Sequence, residues 1–143
     1  MFKTILVPID IAHAQANAAT IEIARGLAAA HDGKLVLLNV IEAIPTFAAA
    51  QIPAEIHDKV RSDAVDALNA FAAEQGLADS AKTVVREGHP ARAILDYANE
   101  IGVNLIVMAS HDPGPSDYLL GSVAGRVVRH AHCSVLVARN LDR

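Results

Sequence analysis

The chain is poor in cysteine and in aromatic side chains. It has a single cysteine, Cys133, which excludes a disulfide within the chain and which we expect to be buried and inert. Tryptophan is absent, and aromatic residues make up 3% of the sequence. Because hydrophobic residues still make up 52%, the core must consist mainly of Val, Ile, Leu and Ala. Such a core is typical of a parallel sheet covered by helices.

An excess of basic charge and any apolar run of membrane length are missing as well. The 12 Lys and Arg residues are outnumbered by 16 Asp and Glu, which gives a formal net charge of −4 and no general attraction to nucleic acid. No secretory signal pattern is present. We therefore expect a cytoplasmic protein with no nucleic-acid partner and no membrane insertion. The length of 143 residues suits one domain spanning residues 1–143.

Short apolar runs alternate with segments of helical periodicity along the whole chain. The runs at residues 3–9, 34–41, 82–86, 103–110 and 134–138 predict strands. Helices are predicted between them, with Pro90 in the first turn of one and residues 119–130 forming another. Residues 42–53 have no clear periodicity and predict a loop. The alternation predicts a parallel α/β sheet.

The first predicted helix has one apolar face. Ala18, Ile21 and Ala24 fall near this face, whereas polar residues such as His13 and Asn17 fall mostly outside it. The pattern therefore predicts that these polar residues lie mostly away from the apolar face.

The stretch at residues 105–139 carries most of the functional information. It predicts a strand, a loop marked by Gly and Pro, a helix that begins near Gly121 and Ser122, and a last strand. The unpaired backbone N–H groups and the positive dipole end of that helix face the loop. This arrangement predicts a phosphate-sized pocket.

Four segments together make the chain resemble the universal stress protein family over essentially all of its length. They are TILVPID at residues 4–10, EGHPARAIL at 87–95, ASH at 109–111 and YLLGSVAGRVVRHAHCSVLVAR at 118–139. The short ASH-x-P loop that begins at Ala109 is similar to that of a bacterial subgroup of small, single-domain members.

The resemblance implies an open five-stranded parallel sheet in the order 3-2-1-4-5, with helices on both faces, which is a Rossmann-like fold. That order places a switch point between strands 1 and 4, where ligands of open α/β sheets bind beyond the carboxyl ends of the strands. It further implies ATP or a related adenine nucleotide as ligand, a stress-response role with a regulatory protein partner, and a homodimer that meets through the last strand, around residues 133–138.

The candidate ligand contacts lie at that switch point, beside it on strand 2, and at the start of the last helix. Asp10 would bind the nucleotide directly or through a nucleotide-bound Mg²⁺, since this ion prefers oxygen ligands. Gly121, Ser122 and Val123 would offer backbone amides and a hydroxyl to phosphate. The remaining candidates are Pro8, Ile9, Val40, Ala109, Ser110 and His111.

Structural roles for several of these residues remain open alternatives. Asp10 could cap the next helix, Val40 could be plain core, and Gly121 with Ser122 could form an ordinary helix start. Ser110 and His111 could serve loop structure alone.

The loop before the last helix departs from the glycine pattern through which many relatives bind ATP. Ala109 and Asp112 stand where those relatives have glycine, and the loop is shorter. A carboxylate at Asp112 would repel phosphate unless it pointed to solvent or shared a metal ion. Two alternatives to nucleotide binding therefore stay open. One is a dimeric interaction module that binds no nucleotide, and the other is a slow ATPase, although the chain has neither a phosphate-binding GxxxxGK[ST] loop nor an evident general base.

Overall fold

The computed structural model describes residues 1–110 and 121–139. The strands are β1 (Thr4–Pro8), β2 (Lys34–Glu42), β3 (Ala81–Gly88), β4 (Leu105–Ala109) and β5 (Ser134–Ala138). A 3-10 helix (Ile11–Asn17) follows β1, and the α-helices are α1 (Ala18–His31), α2 (Thr46–Ala49), α3 (Ala54–Glu74), α4 (Pro90–Ile101) and α5 (Ser122–His130).

The five strands form one parallel sheet in the order β3-β2-β1-β4-β5. This confirms the predicted fold class and strand order. Successive side chains on a strand point to opposite faces, so β1 contributes Ile5 to one core layer and Leu6 to the other, and both are fully buried. The first layer packs against α1 and α3, and the second packs against α4 and α5.

Local sequence explains where the helices begin and end. Pro90 occupies the first turn of α4, as predicted, where its missing N–H costs no helical hydrogen bond. Gly102 ends α4 in a left-handed conformation with φ 68°, and its N–H donates to the carbonyl of Ala98. The helix predicted at residues 119–130 corresponds to α5, whose described part begins at Ser122; residues 119 and 120 lie outside the described residues.

Two expectations about the first half of the chain were wrong. The predicted loop at residues 42–53 contains the short helix α2. Asn17, one of the polar residues predicted to lie mostly away from the apolar face, is only 4% exposed. The segment before α1 is a 3-10 helix with a kink at His13 (φ −127°, ψ 46°). Asn17 precedes the buried residues Ile21 and Ala24 of α1 by four and seven residues, so helical spacing places it on their face. Its polar side chain is accommodated there by hydrogen bonds to backbone carbonyls.

Candidate functional site

The sheet opens between β1 and β4 at their carboxyl ends. Their paired positions are Ile5 with Leu105 and Leu6 with Ile106. Within the described residues the pairing ends there, whereas β1 continues beside β2 as far as Pro8 and β4 continues beside β5 as far as Ala109. The crevice of the switch point therefore lies between two strands that each remain bound to their outer neighbour.

Pro8 gives a covalent reason for this opening. The next residue, Ile9, donates its N–H to the carbonyl of Leu38 on β2 at 2.8 Å. Because successive backbone N–H groups of an inner strand point to alternate neighbours, the donor position that faces β4 falls on Pro8, which has no N–H.

At the opposite end of the sheet, Asn104 holds the same two strands together through hydrogen bonds. Its Oδ1 accepts hydrogen bonds from the N–H groups of Lys3 (3.1 Å) and Thr4 (2.9 Å). The N–H of Asn104 in turn donates to the carbonyl of Thr4 at 3.0 Å. The two strands are thus held at their amino ends and part at their carboxyl ends.

Asp10 stands at the rim of the crevice, directly after β1. Its Oδ1 accepts the N–H of Ala12 at 3.1 Å, which caps the start of the 3-10 helix. Its Oδ2 lies 2.9 Å from Nδ1 of His13. The capping role proposed as the alternative is therefore present, and 58% of the Asp10 side chain is exposed and can still be reached by a ligand.

Two buried asparagines fix the backbone beneath Asp10, and sequence reasoning missed both. Asn39 donates from Nδ2 to the carbonyl of Ile9 at 2.9 Å. Asn17 donates from Nδ2 to the carbonyls of Asp10 and His13, each at 3.1 Å. The signal for Asn39 was its position within the otherwise apolar run LVLLNVI, where a buried amide needs a partner.

The end of β4 forms the other wall of the crevice. Ala109 is half-buried, and the N–H of Ser110 donates to the carbonyl of Ala138 on β5 at 2.8 Å. The Oγ of Ser110 is buried and has no hydrogen-bond partner among the residues that the structure describes. The predicted contact His111 lies outside the described residues, as does Asp112.

The start of α5 has the backbone conformation that its glycine allows. Gly121 has φ 79° and ψ 158°, a region that is essentially restricted to glycine, and Ser122 follows as the first, exposed residue of the helix. Val123 is half-buried and packs against the core layer of α4 and α5.

The candidate apolar contacts are divided between the two faces of the sheet. Val40 packs in the same core layer as Val123, so its core role is present, whereas the buried Ile9 belongs to the layer of α1 and α3. Pro8, which directly precedes Ile9, is half-buried. Any one ligand that meets Val40 and Ile9 must therefore reach across the carboxyl edge of the sheet.

Few other features of the described residues suggest chemistry. Residues 1–110 and 121–139 contain no group of three or more His, Cys, Asp or Glu side chains that could hold a metal ion. Cys133 is half-buried, and this burial raises the pKa of its thiol. Within the same part of the chain no helix is long and apolar enough to cross a membrane.

The strand order and the opened switch point define an open, doubly wound α/β domain. The model of the universal stress protein family matches residues 1–139. The chain therefore belongs to the universal stress protein family.

Individual relatives agree with this assignment. A universal stress protein of Synechocystis is 33% identical, with the match covering 96% of this chain and 85% of that protein. The structure of the universal stress protein UspA from Lactobacillus plantarum is 30% identical and covers 96% of this chain and 98% of that one, with a TM-score of 0.76. A universal stress protein solved in complex with cAMP is 20% identical and shares the fold, with a TM-score of 0.69 and coverage of 96% and 97%.

Proposed function

We propose that this chain binds ATP or a related adenine nucleotide in the crevice between β1 and β4 and acts as a regulatory binding protein in a stress response. The observation that carries the proposal is the opening of the sheet after Leu6 and Ile106. One wall carries an exposed carboxylate, and the other carries a buried hydroxyl without a partner in residues 1–110 and 121–139. A buried polar group without a partner calls for an explanation, and a ligand that bonds to Ser110 Oγ supplies one.

The proposed contacts follow the chemistry of each residue. The base and ribose would lie against Pro8, Ile9 and Val40, with Asp10 accepting a hydrogen bond from the sugar or the base. The phosphates would lie at the start of α5, where the helix dipole and free N–H groups favour anions. Residues there and on the β4 side supply the remaining polar and backbone contacts; they are Ala109, Ser110, His111, Gly121, Ser122 and Val123.

Magnesium would enter with the nucleotide rather than as a resident ion. Carboxylate oxygen is a ligand that Mg²⁺ accepts while it keeps several waters and binds substrate phosphates. The Asp10 carboxylate is more than half exposed, so its remaining lone pairs can meet such an ion. The described residues offer no group of three side chains for a metal, which fits a metal held mainly by the nucleotide.

The relative in complex with cAMP supports an adenine nucleotide as the class of ligand to test. The phosphate of cAMP is a single cyclic diester, whereas ATP presents three phosphates to a helix start. We therefore expect the two ligands to differ in how strongly they depend on Ser122 and on Mg²⁺.

Isothermal titration calorimetry with ATP, AMP and cAMP, each with and without Mg²⁺, tests the proposal. Ser122→Ala removes an exposed hydroxyl at the start of α5, and Ser80→Ala removes another exposed hydroxyl, before β3, as the control. We expect saturable binding by the wild type and the control, with weaker ATP binding by Ser122→Ala. No heat and no thermal shift with any of these ligands at millimolar concentration would overturn the proposal.

A second candidate function is a dimeric interaction module that binds no nucleotide. Its specific support is that the Asp10 carboxylate already has partners within the chain, in Ala12 and His13, together with Ala109 and Asp112 at positions where many relatives have glycine. Mass analysis of protein purified without denaturation distinguishes these two functions. Co-purified nucleotide supports nucleotide binding, whereas its absence, together with no heat in the titrations, supports the interaction module. Phosphate release measured in the same samples tests slow ATP hydrolysis.

A further inference from the structure

We infer that Asn17 and Asn39 are positioning residues of the nucleotide site, which act by fixing the backbone that presents Asp10. The inference rests on the proposed function, since it assigns these residues a role in nucleotide affinity. Both side chains are more than nine-tenths buried, with exposed fractions of 4% and 9%, and both donate to backbone carbonyls at the rim of the crevice.

Asn39 holds the last buried residue before the rim. Its Nδ2 reaches from β2 to the carbonyl of Ile9 at 2.9 Å, while the N–H of Ile9 is held by the carbonyl of Leu38 at 2.8 Å. Ile9 is thus tied to β2 through both of its backbone polar groups, just beyond the last residue of β1. This fixes the direction in which the chain leaves the sheet.

Asn17 holds the next peptide carbonyl and closes the turn. The two hydrogens of its Nδ2 allow two hydrogen bonds, and these go to the carbonyls of Asp10 and His13, each at 3.1 Å. The N–H of His13 also donates to the Asp10 carbonyl at 3.0 Å. The Asp10 carbonyl at the rim of the crevice therefore also anchors the 3-10 helix that carries His13.

The consequence is a carboxylate that is exposed and yet oriented. An exposed Asp side chain normally samples several rotamers, but here Oδ1 accepts the N–H of Ala12 and Oδ2 meets Nδ1 of His13. Both partners lie in the turn that Asn17 closes. Orienting a binding group before the ligand arrives lowers the entropic cost of binding, so we expect the two asparagines to contribute to affinity through Asp10.

An amide is the side chain that this role requires. It is neutral, so it can be buried at moderate cost, and it donates two N–H groups to carbonyls. Aspartate at either position would instead bring a carboxylate oxygen against a carbonyl oxygen. Alanine removes the donor, so the Ile9 carbonyl loses its hydrogen bond from Asn39, and the Asp10 carbonyl keeps the N–H of His13 but loses Asn17.

The test is a double-mutant cycle on nucleotide affinity. Asn17→Ala and Asn39→Ala are each made in the wild type and in an Asp10→Ala background, and ATP binding is titrated for every variant. We expect each alanine to weaken binding about tenfold in the wild type, as loss of one oriented hydrogen bond would. In the Asp10→Ala background the same substitutions should change affinity less than twofold, because the residue through which they act is gone.

Asn104→Ala is the matched control for lost stability. It also removes hydrogen bonds from an asparagine to backbone at the start of β1, but this side chain is exposed and lies at the amino ends of the strands, away from the crevice. We expect it to lower the urea midpoint without changing ATP affinity. Asn39→Ser, which keeps a hydroxyl donor, provides a milder variant if an alanine variant does not fold.

A second readout follows the turn itself. The ¹⁵N resonances of the His13 imidazole report which nitrogen carries the proton, and we expect Asn17→Ala to change them because the contact to Asp10 loosens. Folded asparagine variants that bind ATP with wild-type affinity would overturn the inference and leave the proposed function intact. A wild type that binds no nucleotide would overturn both.

Discussion

The N–H of Ser110 donates a hydrogen bond to the carbonyl of Ala138 at 2.8 Å, which keeps the end of β4 on β5 and away from β1. Ile9 makes the corresponding bond to Leu38 on β2. The hydrogen-bond pattern of the sheet therefore creates the crevice, since β4 is bonded to β5 and the chain after β1 is bonded to β2.

The Ser110 hydroxyl is predicted to lower the stability of the ligand-free protein and to strengthen ATP binding. Because its Oγ is buried without a partner among the described residues, Ser110→Ala removes a desolvated polar group that no hydrogen bond offsets. We expect the free energy of unfolding of the ligand-free protein to rise by up to about 1 kcal/mol, while ATP binding weakens. Urea unfolding with and without ATP measures both effects, and a destabilised ligand-free variant would contradict this assignment of the hydroxyl.

Replacement of Gly121 at the start of α5 is predicted to destabilise the protein and to weaken ATP binding. At φ 79° and ψ 158° a side chain is strained, so Gly121→Ala should cost about 1–3 kcal/mol or displace the helix start, and it should weaken ATP binding more than cAMP binding. Gly26→Ala is the control, because Gly26 lies within α1 and nothing stands within 4 Å of an added Cβ. This control should gain about 0.5–1 kcal/mol through helix propensity.

Cys133 is predicted to react slowly with alkylating agents. Burial raises the pKa of its thiol, so less of the reactive thiolate is present at neutral pH than in an unfolded chain. Iodoacetamide labelling at pH 7.5 should be slower in buffer than in urea, and the difference should narrow as the pH rises through the raised pKa. Equal rates in the folded and unfolded protein at pH 7.5 would show that the thiol is not protected.

A homodimer through β5 is also predicted. β5 is an edge strand with Val135, Leu136 and Val137 only half-buried, and such an edge favours pairing with another strand. Ala138 bonds to β4, so by alternation the N–H of Val137 points outward. Val137→Pro removes that donor and should give a monomer in light scattering, whereas Val137→Ala keeps the donor and should remain a dimer. A monomeric wild type would contradict the prediction.

The sequence predicted the alternation of elements, because buried strands and amphipathic helices leave clear periodic patterns. The strand order was implied by the family resemblance and not by periodicity. Neither predicted the surroundings of Asp10. The contact to His13 depends on a kink in a 3-10 helix. The hydrogen bonds from Asn17 to the carbonyls of Asp10 and His13 depend on the same turn. Val40 was identified as an apolar contact, but only the packing of the helices shows that it shares a core layer with Val123 rather than with Ile9.

Amide chemical-shift mapping tests the central claim most directly. ATP with Mg²⁺ is titrated into ¹⁵N-labelled protein, and the shifts of the backbone N–H signals are followed. Binding in the crevice predicts that the largest changes fall on both walls and on the helix start, at Asp10, Ala12, Ser110, Ser122 and Val123, with small changes on the outer strand β3. No saturable changes, or changes confined to residues away from the carboxyl ends of β1 and β4, would contradict the account.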